Sequence, residues 1–379
     1  MSKEEKKRAK LREKVAKEHK KRSDKIPTVA VLNEGQDRFW DYIPLGICLD
    51  KDYNENILAW KLRCVARYEN EQDYYDSLPS TSLLIAGGTG SGKTVLERGI
   101  VNHISNYRSK FQLIGSDVKR IEFCDIKDKF NGVTTDIIAT ASVVAKLQKM
   151  MMSRFKMMEN SQVNSIWKID NQSVDCDFYK IKGIAEPVQF DEFLAVGLEL
   201  DENDRKYTRL KEIYPEGVQP VVMTAEDIYK MLKDGDRKSL TVKGQTITKT
   251  DIKQVKGKYS PKAIIFMIDD LNEVMCDDDY KSVDTIKSAL GSIARLGRAS
   301  GIHLCLCCHR ASGSTISTDL KNNIQMSVLL GGFDDGASCL MFEKDISNWC
   351  RPEIKGRGFV ATGTEIVEMQ TFVGGISYF

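Results

Sequence analysis

The sequence predicts an α/β fold, and two observations carry this prediction. Residues 82–104 (SLLIAGGTGSGKTVLERGIVNHI) begin as an apolar strand, continue as a glycine-rich loop and end with the apolar spacing of a helix. Two further apolar runs, at residues 263–268 and 301–308, have the length of buried strands and end in polar residues. Buried strands combined with such helices indicate a sheet covered by helices.

The glycine-rich loop fits the pattern G-x-x-x-x-G-K-[ST], which predicts ATP and Mg²⁺ as cofactors. Its glycines allow the backbone N–H groups to surround the β- and γ-phosphates at the positive end of the following helix. Lys93 adds a point charge and the Thr94 hydroxyl ligates Mg²⁺. A glycine turn that binds nothing is the alternative, and the complete pattern disfavours it. The predicted ATP-binding residues are Gly87, Gly88, Thr89, Gly90, Ser91, Gly92, Lys93 and Thr94.

The overall composition does not indicate nucleic-acid binding, because the 379 residues include 56 Lys and Arg and 54 Asp and Glu, so that the charges nearly balance. The ten cysteines follow no secretory signal, which predicts a reducing cytoplasm, the host's if the protein is viral. The longest apolar runs are far shorter than the ~20 residues of a membrane helix, so no direct membrane insertion is expected.

A second landmark is AIIFMIDDLNEVM at residues 263–275, an apolar strand that ends in two carboxylates. Asp269 has the position of a Mg²⁺ ligand, and Asp270 that of the group that polarises the attacking water. Glu273 is an alternative base, because it follows on the same element with a longer side chain. The alternative is a buried strand that ends in solvated aspartates without a catalytic role.

The third stretch, GIHLCLCCHRASGS at residues 301–314, predicts another strand of the sheet that ends at His309 and Arg310. A polar residue there is placed to sense the γ-phosphate. Alternation also puts His303, Cys305, Cys307 and His309 on one face, which suggests a metal. Such a strand spreads the outer pair over ~20 Å, too far for one ion, so no metal is expected on these four residues.

Six segments occur in an order that resembles the FtsK/SpoIIIE family of DNA-pumping ATPases. The resemblance implies a RecA-like P-loop NTPase, a three-layer α/β domain with a mostly parallel sheet. It also implies a ring, of six subunits as in the family, around double-stranded DNA. The segments are DYIPLGICLD (41–50), FQLIGSDVKRIEF (111–123), MMMSRFKMME (150–159), IARLGRASGIHLCLCCHR (293–310), ISTDLKNNI (316–324) and KGRGFVATGTEIVEMQTFVGG (355–375).

Three positions depart from the family's pattern. Asp270 stands where the family usually has glutamate, and His309 where it usually has glutamine. The usual arginine after the KANIP motif has no counterpart in QMSVLLGGF. Arg298, which matches the arginine of ARAAGIH, is therefore the candidate to act in a neighbouring subunit's site, with Arg295 and Arg310 as further candidates. An ordinary surface ion pair is the alternative for each.

DNA contacts are predicted in the loop at residues 311–323, which is rich in Ser, Thr and Gly. Lys321, Asn322 and Asn323 at its end suit contacts with phosphates that do not read bases. An ordinary polar surface loop is the alternative.

The predicted organisation has four parts. Residues 1–27 form a basic tail, either a solvated helix or an arm that touches nucleic acid or an acidic partner. Residues 28–159 and 261–379 form the two parts of the motor, the first with the phosphate loop and the second with the acidic strand, the sensor and a C-terminal hairpin. Residues 160–260 form an inserted α+β subdomain with a capped helix, TAEDIYKMLKDG, and a hairpin, KSLTVKGQTITKTDIKQV.

The process that such a pump serves follows only from the resemblance. Neither a membrane helix nor a DNA-reading winged helix is recognisable, which fits viral genome packaging or conjugative DNA transfer, with packaging favoured. The expected partner is then a capsid portal or a transfer pore. An FtsK-like protein-secretion ATPase and a weakly active structural ring component are the alternatives.

Overall fold

The computed structural model describes residues 3–27, 40–48, 57–62, 82–169, 174–362 and 365–373. Residues 28–39, 49–56, 63–81, 363–364 and 374–379 of the predicted motor and 170–173 of the predicted insertion lie outside the described residues, and these include 49–50 of the first matching segment and 363–364 and 374–375 of the last. The chain divides into two compact units. The first comprises residues 1–107, 270–275 and 305–379, and the second comprises residues 108–269 and 276–304.

The bounds of the strands and helices in the described residues are as follows. In chain order the strands are β1 (Tyr42–Ile47), β2 (Ile57–Lys61), β3 (Ser82–Gly87), β4 (Phe111–Ser116), β5 (Gly132–Thr134), β6 (Asp175–Ile181), β7 (Val188–Gln189), β8 (Phe193–Glu199), β9 (Val218–Thr224), β10 (Ser239–Val242), β11 (Gln245–Thr248), β12 (Ile252–Lys258), β13 (Ala263–Ile268), β14 (Ile302–Cys308), β15 (Met326–Leu330), β16 (Arg357–Thr362) and β17 (Glu365–Thr371). The helices are α1 (Lys3–Ser23), α2 (Lys93–Asn106), α3 (Ile137–Asn160), α4 (Tyr207–Ile213), α5 (Ala225–Asp234), α6 (Leu271–Met275), α7 (Tyr280–Ser300), α8 (Thr318–Asn323) and α9 (Asp335–Phe342).

The first unit has the strand order β2-β1-β17-β16-β15-β3-β14, in which β14 crosses the division between the units. β15 runs parallel to β3, with Met326 opposite Leu83 and Leu330 opposite Gly87. Strands β16 and β17 form an antiparallel hairpin that pairs with β15, as the resemblance of residues 355–375 predicted. In this unit a single strand, β15, therefore separates the strand before the phosphate loop from the C-terminal hairpin.

The second unit has the strand order β14-β13-β4-β5. β13 is parallel to β4 over its full length, and β4 is parallel to β5. Every residue of β4 and β13 is buried, including Gln112 and Ser116 of β4, as is typical of parallel strands that are covered on both faces. The structure confirms the α/β class and a large, mostly parallel sheet.

Helices α3 and α7 pack against each other in the second unit. Asp136 caps α3 by accepting from the Ala139 amide, and Asp279 caps α7 by accepting from the Ser282 amide. Helix α7 ends at Gly301, which has the left-handed backbone (φ 69°) that a glycine adopts without strain. Local sequence signals thus set the start of α3 and both ends of α7.

Residues 175–258 form two small antiparallel sheets with helices α4 and α5. The strand orders are β11-β10-β8-β9 and β12-β6-β7. The predicted helix is confirmed as α5, with Thr224 at its start and Gly235 (φ 85°) at its end. The predicted hairpin is confirmed as β10 and β11. The elements are of the α+β kind, while the boundaries at 160 and 260 remain a prediction.

Buried polar contacts tie these small sheets to α3. Arg154 of α3 is 1% exposed and donates to Asp191 Oδ2 at 2.9 Å and to the Ser300 carbonyl at 2.8 Å. The Tyr259 hydroxyl donates to the same carboxylate at 3.0 Å. A buried ion pair needs such additional hydrogen bonds to offset the cost of removing both charges from water. The pair therefore specifies how the inserted elements join α3.

Residues 3–23 of the basic tail form helix α1 in the first unit. Its described side chains are exposed up to Val15, whereas Ser23 and Ile26 at its end are 1% and 6% exposed. The end of the tail is thus part of the folded unit. Across the described residues, no helix combines the length and the low polarity needed to cross a bilayer.

Candidate nucleotide-binding site

The phosphate loop joins β3 to α2, as the sequence predicted. Gly90 and Gly92 have φ values of 78° and 106°, which side chains other than hydrogen rarely allow. A Cβ on Gly92 would lie 2.9 Å from the Gly356 Cα atom, which is also too close. Both the backbone angle and this close approach therefore require glycine at position 92.

The C-terminal hairpin supports the loop from behind. The Gly356 amide donates to the Ser91 carbonyl at 2.9 Å. A Cβ on Gly331, just after β15, would lie 2.8 Å from the Ser91 Cβ atom. The loop is therefore held by backbone packing before any ligand binds, which lowers the entropy lost on binding.

The front of the loop is open and suits an anion. Gly88, Thr89 and Gly90 are exposed, and apart from adjacent residues no atom of the described residues lies within 4 Å of a Cβ built on Gly88 or Gly90. The first turn of α2 carries no acidic residue that would compete for its N–H groups. The positive end of the helix therefore faces space that phosphate oxygens can fill.

Three of the predicted catalytic side chains form a continuous polar chain in the first unit. The Lys93 Nζ atom lies 3.4 Å from His309 Nδ1, and His309 Nε2 lies 3.3 Å from Asp270 Oδ2. Because an ammonium group can only donate, Nδ1 accepts, and the proton of a neutral imidazole is then on Nε2 and points to the carboxylate. His309 thus links the phosphate-binding lysine to a carboxylate.

This geometry explains how histidine can replace the glutamine expected from the resemblance. A glutamine side chain offers one carbonyl acceptor and one amide donor group. A neutral His309 with its proton on Nε2 offers the same pair, an acceptor to Lys93 and a donor to Asp270. The substitution therefore preserves the hydrogen-bonding pattern.

Asp270 differs sharply from the alternative base, Glu273. The Asp270 side chain is 2% exposed, and its backbone has a left-handed φ of 50°. A residue other than glycine in this region stores strain, which concentrates at functional sites. Its carbonyl accepts from the Glu273 amide and so starts α6, while the Glu273 side chain is exposed. The carboxylate in contact with His309 is therefore that of Asp270.

Asn272 was not predicted, and the structure places it at the centre of the site. Its Oδ1 atom accepts from the His309 amide at 3.0 Å. Its Nδ2 atom donates to the Arg310 carbonyl at 3.1 Å and to Thr315 Oγ1 at 2.8 Å. The side chain thus joins α6 to the residues that directly follow β14. No sequence signal marks it, because its partners are 37 to 43 residues away.

We expect Asn272→Ala to lower kcat for ATP hydrolysis about tenfold, equivalent to ~1.4 kcal/mol, since the His309 backbone is then no longer fixed by this side chain. Removing three hydrogen bonds should also lower the free energy of unfolding by about 1–3 kcal/mol. Steady-state kinetics and urea unfolding check both effects. Asn164→Ala, at an exposed asparagine, is the matched control, and equal behaviour of the two variants would contradict the prediction.

A buried thiol adjoins the polar chain. Burial raises the pKa of Cys308 to about 12, with the charges of Lys93 and Asp270 nearby. The thiol therefore stays protonated at neutral pH, and it is not a nucleophile in this site.

The remaining predicted residues lie elsewhere. Asp269 directly follows β13 in the second unit, is 8% exposed, and its amide donates to the Ser116 carbonyl. Arg295 and Arg298 are exposed on α7, and Arg310 pairs with Asp334 at 2.8 Å. In the predicted DNA-contacting segment, Asn322 is exposed. Of its neighbours, Lys321 pairs with Glu343 at 3.2 Å, and Asn323 donates to the Asp319 carbonyl.

Comparison with known proteins gives a consistent result. The sequence profile of the FtsK/SpoIIIE family matches residues 35–313. The transfer protein TraSA of Streptomyces ambofaciens is 29% identical over 112 residues, which cover 29% of this chain and 26% of TraSA. The comparison with that relative thus spans about a quarter of its length.

Two solved structures share the fold. The pCW3 conjugation coupling protein TcpA, in a monomer form with ATPγS, has a TM-score of 0.57 at 19% identity, covering 92% of this chain and 71% of TcpA. The cytoplasmic domain of the Type VII secretion ATPase EccC of Thermomonospora curvata has a TM-score of 0.52 at 14% identity, covering 93% of this chain and 31% of EccC. At these identities the likeness establishes the fold.

Proposed function

Because this chain belongs to the FtsK/SpoIIIE family of P-loop ATPases, we propose that it is an ATP-driven translocase of double-stranded DNA, used in conjugative DNA transfer. The observation that carries the proposal is the phosphate loop joined through Lys93 and His309 to Asp270, within the segment that the family profile matches. These groups are suited to binding a nucleotide and to orienting a water molecule.

In the proposed reaction the loop amides and Lys93 hold the β- and γ-phosphates of ATP. Thr94 and Asp269 would hold Mg²⁺, which neutralises charge on the phosphates when bound. Asp270 orients the attacking water and accepts its proton, and His309 keeps that carboxylate in place. The chain's own contribution is positioning and electrostatics, the main requirements of phosphoryl transfer.

The proposal of DNA as the substrate is supported by the family and by two relatives. TraSA is a transfer protein and TcpA a conjugation coupling protein, which favours conjugative transfer over viral packaging. Lys321, Asn322 and Asn323 would contact phosphates without reading bases. A transfer pore is then the partner that receives the DNA, and the motor works in the cytoplasm.

The proposal includes a homo-oligomeric ring of six subunits with nucleotides bound between neighbours. An arginine from the adjacent subunit would complete each site and stabilise the charge of the transition state. Arg298 and Arg295 support this role because both are exposed on α7. Arg310 is the weaker candidate, since it already pairs with Asp334.

ATP hydrolysis measured with and without linear duplex DNA, across a salt series, tests the proposal. We expect turnover that DNA stimulates several-fold and that loses this stimulation as salt rises, because phosphate contacts release counterions. Lys93→Ala should show no turnover above background, which excludes a contaminating ATPase.

Turnover that is indifferent to DNA at every salt concentration would contradict the translocase and favour a protein-secretion ATPase. No turnover in the presence of DNA would favour a structural ring component. A packaging role would require the ring to bind a capsid portal rather than a transfer pore.

A further inference from the structure

The N-terminal helix α1 has two dissimilar parts. Its last turns face the folded unit, with Ala16 and His19 partly buried and Ser23 buried. Every side chain of residues 6–15 is exposed. We call residues 6–15 the basic arm. These exposed side chains are mainly charged, so solvent rather than a packed core surrounds this part of the helix.

The basic arm carries a dense positive charge. Ten residues of helix span about 15 Å, and this length holds six cationic side chains and one acidic one. The acidic side chain, Glu13, accepts from Lys17 outside the arm at 2.8 Å. The six cationic residues are Lys6, Lys7, Arg8, Lys10, Arg12 and Lys14.

A buried arginine anchors the base of the arm. The Arg357 side chain is 1% exposed and pairs with Glu368 at 3.3 Å. It donates to the Ser23 carbonyl and hydroxyl at 3.0 and 2.9 Å, and to the carbonyls of Ile26 and Pro27. These acceptors lie at the end of α1 and directly after it. The guanidinium therefore provides hydrogen-bond donors for the carbonyl groups at the C-terminal end of α1 and fixes the direction of the helix.

Aromatic stacking adds a second contact. The His19 ring stacks on Trp349, with centroids 4.6 Å apart and planes at 11°. The same tryptophan packs against Phe359 of β16. The helix is therefore fixed at two successive turns directly after the arm, and Arg12 of the arm lies near Asp345.

The anchor adjoins the phosphate loop. Arg357 follows Gly356, whose amide holds the Ser91 carbonyl of the loop. The Thr371 amide donates to the Gly356 carbonyl at 2.9 Å, so both strands of the hairpin share this point. The residue that anchors the arm is thus the immediate neighbour of the backbone that supports the nucleotide site.

We propose that the basic arm binds the phosphate backbone of duplex DNA and that its anchor on the C-terminal hairpin connects this contact to the phosphate loop. Duplex DNA carries a charge about every 1.7 Å, so ~15 Å of it offers roughly nine charges to the six cations of the arm. The arm's polar side chains are otherwise limited to one glutamate, which indicates contacts that position DNA without reading its sequence. This inference rests on the proposed function and identifies a second contact with the same substrate.

The test compares two full-length variants that each lose three positive charges. The arm variant carries Lys6→Gln, Lys7→Gln and Lys10→Gln, which keep a high helix propensity. The control carries Lys233→Gln, Lys249→Gln and Lys253→Gln, at exposed lysines of the inserted elements. Affinity for a fluorescent 30-base-pair duplex is measured by anisotropy across a salt series, and circular dichroism verifies that both variants keep their helix content.

We expect the arm variant to bind the duplex at least tenfold more weakly at low salt. The slope of log K against log salt is negative, and its magnitude should decrease by about 0.9 for each phosphate that the arm no longer neutralises, that is by ~2–3. The control should match the wild type. An arm variant with wild-type affinity and slope would overturn the inference, and so would equal losses of affinity in both variants. If the wild type itself bound no DNA, the proposed function would fail first, so the two failures are distinguishable.

Discussion

Asp270→Asn is expected to lower kcat for ATP hydrolysis by about 10²- to 10⁴-fold, the range for removal of a positioned general base. Asparagine has nearly the same shape, and its side chain can still accept a hydrogen bond from His309. It also tolerates the left-handed backbone that Asp270 adopts, so the variant should fold normally. The change therefore removes the negative charge and little else. Single-turnover and steady-state kinetics measure the effect.

Glu273→Gln is the matched control on the same helix. Its side chain is exposed, whereas the carboxylate of Asp270 is buried against His309. We expect kcat to stay within about threefold of the wild type, since a solvated carboxylate contributes little through Coulomb interactions. Both variants should bind a fluorescent ATP analogue as the wild type does. A large loss of turnover in Glu273→Gln with normal turnover in Asp270→Asn would reverse the assignment of the base.

The ends of the central strands were predicted closely from sequence, because the patterns that mark them are contiguous in the chain. The apolar run that predicted β13 has the same ends as the strand, since each of its six residues is buried. The loop between β3 and α2 was predicted for a similar reason, as its glycines and lysine form one contiguous pattern. Such features depend on neighbours in the chain and need no knowledge of the tertiary structure.

Contacts between distant segments were not predictable in the same way. Lys93 and His309 were each chosen from sequence, yet their contact joins residues 216 positions apart. Asn272 was missed because an asparagine early in a short helix has no distinctive pattern. The packing of the basic tail was missed too, since its hydrogen bonds to Arg357 span 334 residues. Charge alone suggested a solvated segment there.

The phosphate loop itself allows a second large effect to be predicted. Gly92→Ala should abolish detectable ATP binding, a loss of at least 100-fold in affinity, equivalent to about 2.7 kcal/mol. The added Cβ would meet Gly356 backbone atoms at 2.9 and 3.0 Å, and a φ of 106° lies outside the regions open to alanine. The loop can relieve both conflicts only by moving, which turns its N–H groups away from the phosphates.

Gly99→Ala on α2 is the control for this prediction. Apart from adjacent residues and the nearby backbone of α2, a Cβ there meets no atom of the described residues within 4 Å, and alanine is favoured over glycine inside a helix by about 1 kcal/mol. This variant should bind ATP normally and unfold at a slightly higher urea concentration. Equilibrium titration with a fluorescent ATP analogue compares the two. Normal binding by Gly92→Ala would show that the hairpin moves with the loop, because the backbone at Gly356 would have to shift to admit the methyl group.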